Sequence, residues 1–141
     1  MPDIVRKLVA QGHEVVLEPG AGVQAGIPDG LFEQAGATLG GDVWAADVVA
    51  KVAPPSADEV RSLNADSVLV GFLAPLTNGA GNAAIAGSGA TAFAMEAIPR
   101  ISRAQSMDAL SSQATVSGYR AVLFGDAKAS ASEITGAVQS L

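Results

Sequence analysis

A chain of 141 residues, 49% hydrophobic and 16% charged, has the size and make-up of one packed domain with a single core. Its formal net charge of −6 repels a phosphate backbone and so removes the main electrostatic drive for binding DNA or RNA. With no cysteine and one histidine, the sequence excludes a disulfide framework, thiolate chemistry and His-rich metal sites.

The chain opens in a helical pattern, Asp3 to Gln11, with Ile4, Val5 and Leu8 on one stripe and Gly12 as the stop. His13 to Glu18 reads as the first strand, Leu31 to Ala35 as a short helix ended by Gly36, and Ala37 to Leu39 as a short extended piece. Trp44 and the alanines after it predict a helical turn, and Asp47 to Val52 a strand closed by Pro54-Pro55. Ser56 or Asp58 caps a helix through Leu63, and Ser67 to Phe72 is the next strand. Thr77 to Gly89, rich in Gly, Asn, Ala and Ser, has little to bury and reads as a weak helix or loose loop before the strand Ala90 to Met95. From Ser106 the pattern turns helical through Met107, Leu110, Ala114, Tyr119, Val122 and Leu123. The tail from Asp126 is small and polar, with Ile134, Val138 and Leu141 at the spacing of a marginal helix.

Short β-branched runs between helical stretches predict an α/β fold: an open, mostly parallel sheet of four or five strands, flanked by helices and buried on both faces. The longest apolar runs, Ser67 to Leu76 and Val43 to Pro55, fall well short of the roughly 20 residues that span a bilayer, and the amino terminus lacks the pattern of a signal peptide, so a soluble chain is expected.

Gly20-Ala21-Gly22-Val23-Gln24-Ala25 matches the glycine pattern of a dinucleotide phosphate loop. That loop needs a helix aimed at the pyrophosphate, and Gly26, Pro28 and Gly30 interrupt the segment first, so a structural turn is expected. His13, with only Glu14 and Glu18 near it, reads as a turn residue rather than a metal ligand. Lys51 stands in the apolar strand Val48-Val49-Ala50-Lys51-Val52 at its carboxyl end, where ligands of open α/β sheets gather. It is either a substrate-site contact or an edge lysine whose stem lies along apolar surface. The richest constellation is Pro99-Arg100-Ile101-Ser102-Arg103-Ala104-Gln105-Ser106-Met107-Asp108-Ala109-Leu110-Ser111-Ser112-Gln113, just past a strand. Ser106 is the expected N-cap. Asp108 and Ser111, three apart, share a helical face and can hold vicinal hydroxyls, while an arginine can hold an amide oxygen or phosphate. The competing reading leaves Asp108 complementing a helix dipole beside solvated arginines.

This run, continued by Val116-Ser117-Gly118-Tyr119-Arg120-Ala121-Val122, resembles the NAD(H)-binding domain of proton-translocating NAD(P) transhydrogenases, within the alanine dehydrogenase/transhydrogenase N-terminal family. Gly12-His13-Glu14-Val15, Glu18-Pro19-Gly20-Ala21-Gly22, Ala35-Gly36-Ala37, Ala46 to Pro55 and Gly71-Phe72-Leu73-Ala74-Pro75 carry the likeness across residues 1–123, leaving 124–141 unmatched. Alanine dehydrogenase is similar in the lysine-bearing strand, but the Arg-Ile-Ser-Arg-Ala-Gln loop favours the transhydrogenase.

The resemblance implies a Rossmann-like or flavodoxin-like first subdomain that lacks one strand at its start and the phosphate-binding subdomain after it. It implies that Arg100 approaches the nicotinamide of NAD(H), that Gln105 lies at the hydride-transfer face, and that Asp108 and Ser111 bind the nicotinamide ribose. It further implies NADP(H) on a partner domain, a β subunit and a membrane subunit as partners, a possible homodimer, and a cytoplasmic place beside the inner membrane. Two other functions stay open: a non-catalytic interaction module, and an alanine-dehydrogenase-like half using Lys51 on a 2-oxo acid.

Overall fold

The structure, a computed structural model, describes residues 1–111, 114–119 and 121. Helix α1 (Pro2–Ala10) starts with proline in its first turn, where a missing N–H costs nothing, and buries Val5. Val9, one turn on, packs with it, whereas Ile4 and Leu8 are exposed. The buried stripe therefore runs through Val5 and Val9. Strand β1 is only Val16–Leu17, shorter than the expected His13 to Glu18, and pairs in parallel with β2 (Thr38–Leu39). Between them lie a short 3-10 turn (Val23–Ala25) and helix α2 (Asp29–Gln34). Phe32, Ala35 and Ala37 join Val5 in one small core.

The second unit is β3 (Val48–Lys51), helix α3 (Ala57–Arg61), β4 (Val68–Gly71), helix α4 (Gly79–Ser88) and β5 (Thr91–Ala94), in the order β3-β4-β5 and parallel throughout. Ser56 caps α3 in a reciprocal capping box with Glu59, the arrangement its Ser-x-x-Glu spelling predicts. Val49 and fully buried Leu69 pack with Val60 and Leu63, around α3, and with Ile85 of α4. Gly71 is required beside Lys51, because a Cβ there would strike the Lys51 carbonyl oxygen. The uncertain segment is resolved as α4: Asn78 accepts the Gly81 N–H at its start, and Gly89, at φ +84°, ends it.

The expected α/β class with parallel strands holds, with two differences. Among the described residues the five strands form two sheets, β1-β2 and β3-β4-β5, instead of one. Nor are the strands buried on both faces. The register aligns Val48, Val68 and Thr91, then Ala50, Val70 and Phe93, on the side away from Leu69, and there Val48 is 61% and Phe93 57% exposed.

Candidate nucleotide site

Because all three strands of the larger sheet run the same way, the loops after β3, β4 and β5 converge at its carboxyl end, where open α/β sheets place ligands. The segment after β5 carries the site. A 3-10 turn (Met95–Ala97) is followed by extended backbone at Ile98 and Ile101, then a second 3-10 helix, Ser102–Met107, anchored by buried Ala104. The helix expected from Ser106 therefore starts a few residues later. The regular helix starts after Asp108, with residues 109–111, 114–119 and 121 helical, and Asp108 is its cap.

Asp108 accepts the Ser111 N–H at 2.9 Å through Oδ1 and the Ser111 hydroxyl at 2.5 Å through Oδ2. The three-residue spacing thus does bring the two oxygens together. The Ser111 hydroxyl, then its N–H, and more weakly the charge of Arg100 hold the Asp108 carboxyl below its ordinary pKa, so it is an anion at neutral pH. Arg100, Ile101, Ser102, Gln105, Asp108 and Ser111 line a single open cleft of about 310 Å³. All four residues expected at the nicotinamide end, Arg100, Gln105, Asp108 and Ser111, stand in its wall. Arg103 does not line it. Ile101 and Ser102, which the pattern did not single out, complete the wall beside Arg100.

Lys51 lies elsewhere. Its Nζ sits 2.5 Å from Glu59 Oε1 and 5.5 Å from the centroid of the Trp44 ring, and it is not part of that cleft. The ion pair with Lys51, followed by the Ser56 N–H, lowers the pKa of Glu59. The glycine-rich turn is structural: the Gly20 N–H donates to both carboxylate oxygens of Asp29 at 3.0 and 2.9 Å, and a side chain on Gly22 would strike Ile27 and Phe32. A carboxylate of the chain already takes the Gly20 N–H. His13 is exposed in the turn after α1. Ser112, Gln113, Arg120 and residues 122–141, with the expected helical tail, lie outside the described residues.

A parallel α/β unit with a polar cleft past β5 places that cleft where open α/β sheets bind ligands. Residues 1–117 match the family model described as "Alanine dehydrogenase/PNT, N-terminal domain", and the chain belongs to that family. It is 47% identical over 133 residues to an NAD(P) transhydrogenase alpha-subunit polypeptide of Rhodospirillum rubrum, covering 88% of this chain and 35% of that protein. The crystal structure of transhydrogenase from Sinorhizobium meliloti superposes with a TM-score of 0.82 at 46% identity, over 87% of this chain and 38% of that one. Alanine dehydrogenase of Halomonas elongata is 36% identical over 128 residues, 88% of this chain and 33% of its own. The chain thus spans about a third of the length of these relatives.

Proposed function

We propose that this chain is the portion of a proton-translocating NAD(P) transhydrogenase that holds the nicotinamide ribose of NAD(H) and presents it to NADP(H) on a partner domain. The cleft carries the reading, because Arg100, Gln105, Asp108 and Ser111 converge there. Its donor set fits the group. An ionised Asp108 accepts hydrogen bonds from ribose hydroxyls, and its bond with Ser111 fixes its orientation. Arg100 donates to an amide oxygen, and Gln105 can both donate and accept. At about 310 Å³ the cleft suits one nucleoside half, not a whole dinucleotide.

When bound, NAD(H) supplies the hydride chemistry; the residues supply position and exclude misaligned poses. No lining residue has to transfer a proton. The partners on this reading are an NADP(H)-binding domain or β subunit, a membrane subunit and a second copy of the chain, which put it on the cytoplasmic side of the inner membrane. No described helix is long and apolar enough to cross a membrane. Engagement of Lys51 by Glu59 outside the cleft counts against a 2-oxo acid held at the strand lysine.

With this chain spliced into a full-length α subunit in place of the matching segment, Arg100→Ala and Gln105→Ala lower cyclic hydride transfer, while Asp108→Ala mainly weakens NADH binding. Bonds made equally in ground and transition states set affinity, whereas those that orient the ring set rate. Each loss is about tenfold or more, since a hydrogen bond to a charged group is worth about 1.5–3 kcal/mol. Lys51→Ala abolishing activity, with Arg100→Ala and Gln105→Ala harmless, would replace this reading with the 2-oxo acid one.

A further inference from the structure

Past the end of β4, Ala74 has φ +50°, the only non-glycine residue at positive φ among those described. Alanine holds that conformation only where its surroundings enforce it. Two features do so. The Ala74 carbonyl accepts the N–H groups of Thr77 at 3.0 Å and Asn78 at 2.8 Å, leading into the cap of α4. On the other side, the consecutive N–H groups of Leu73 and Ala74 both donate to the half-buried carboxylate of Glu96, Leu73 to Oε2 at 3.3 Å and Ala74 to Oε1. Successive amides turned to one point by a left-handed residue make an anion-binding nest, and Glu96 fills it from within the chain.

Glu96 also opens the segment that carries the cleft, four residues before Arg100. Ala74, Pro75, Leu76 and Thr77 on one side, and Glu96, Ala97 and Leu110 on the other, line an open apolar hollow of about 460 Å³. Leu110, in the first helical turn between Asp108 and Ser111, lines this hollow, so hollow and cleft share that turn.

We propose that Glu96 is a positioning residue for the cleft: its carboxylate, seated on the Leu73 and Ala74 amides, ties the loop after β4 to the segment bearing Arg100, Gln105, Asp108 and Ser111. Only the ligand arm of the test rests on the reading of the cleft as a nicotinamide-ribose site. A carboxylate is needed because a neutral amide offers one oxygen to two donors and turns its own N–H toward the other. The same geometry makes the vacated nest a receptor for a small carboxylate.

Amide-resolved NMR on the unliganded 141-residue chain tests this. Glu96→Ala speeds hydrogen exchange of the Ala74 amide by about tenfold or more and shifts the resonances of Arg100, Gln105, Asp108 and Ser111; added formate slows the Ala74 exchange again but, having no bond to the segment, leaves those shifts in place. Glu96→Gln gives an intermediate effect, and it carries the test if circular dichroism shows the alanine variant unfolded. Resonances of residues 100–111 that stay in place in both variants overturn the proposal, as does their full restoration by formate, which would show that an anion in the nest suffices without the tie. NADH titration adds the ligand arm: the shifts it produces at Asp108 and Ser111 require about fivefold more NADH in the variants. If NADH shifts nothing there in the wild-type chain, the cofactor reading fails and the clamp is decided by the unliganded spectra alone.

Discussion

Lys51 illustrates how a single residue is read one way in a sequence and another in a fold. In an apolar strand a lysine demands a reason, and the ligand-rich carboxyl end of the sheet supplies one. The structure supplies a nearer partner. Glu59, brought round by α3, takes the ammonium at 2.5 Å while the Trp44 ring lies 5.5 Å below it. The lysine, 26% exposed at its side chain, thereby joins β3 to the start of α3. The pair sets a pH dependence. The folded pKa of Glu59 is depressed below its ordinary 4.5, mainly by Lys51, so its contribution is fully present above that value and is lost as pH falls through the folded pKa. Thermal melts of wild type and Glu59→Gln should therefore differ most at neutral pH and converge in acid. A constant gap down to the acid limit would show that the charge of Glu59 does not stabilise the fold. Asp108 titrates in the same sense, its carboxyl held down first by Ser111, so ligand binding that needs its charge persists through neutral pH.

At the scale of elements, α4 shows where pattern reading loses its signal. Gly79–Ser88 spells GAGNAAIAGS, and with Ile85 as the single buried residue it has almost no apolar stripe to read. Its ends are what define it, through the Asn78 cap and Gly89 in the left-handed region. Asn78→Ala should cost about 0.5–2 kcal/mol by chemical denaturation, a cap-sized loss that a loose loop would not show. The strands make a second contrast. Their β-branched composition gave away their existence, but which face is covered depends on helices that pack on one side only. Leu69→Ala should destabilise by about 2–5 kcal/mol, because Leu69 is fully buried beneath α3 and α4. Phe93→Ser, on the bare side, should change stability by no more than about 0.5 kcal/mol. Equal losses at the two positions would mean that both faces are covered in solution.

The described residues build two small cores, one per parallel sheet, with the candidate cleft past the carboxyl end of the larger. On the proposed reading, a cleft of about 310 Å³ engages only a fraction of a dinucleotide. Micromolar affinity requires about 8 kcal/mol, so the isolated chain should bind NADH with a dissociation constant on the order of millimolar or weaker. Titration calorimetry is the check; a micromolar constant would show that this cleft alone suffices.

The family resemblance points to four of the six residues that line the cleft, and the sequence's own patterns to the class of fold and the chain order of its elements. These are local quantities: apolar periodicity, cap residues and a polar segment following a strand depend on neighbours a few positions away, and Ser56 with Glu59 spells its own capping box. The separation of the strands into two sheets, the bare face bearing Val48 and Phe93, the capture of Lys51 by Glu59 and the clamp of Glu96 on Leu73 and Ala74 were decided by tertiary structure. Glu96 left one trace, a lone acid in the apolar run Ala94-Met95-Glu96-Ala97-Ile98, but its partners lie 22 and 23 residues away. Contacts across that distance follow from how β4 and β5 pair and where their loops emerge, which no short-range pattern encodes.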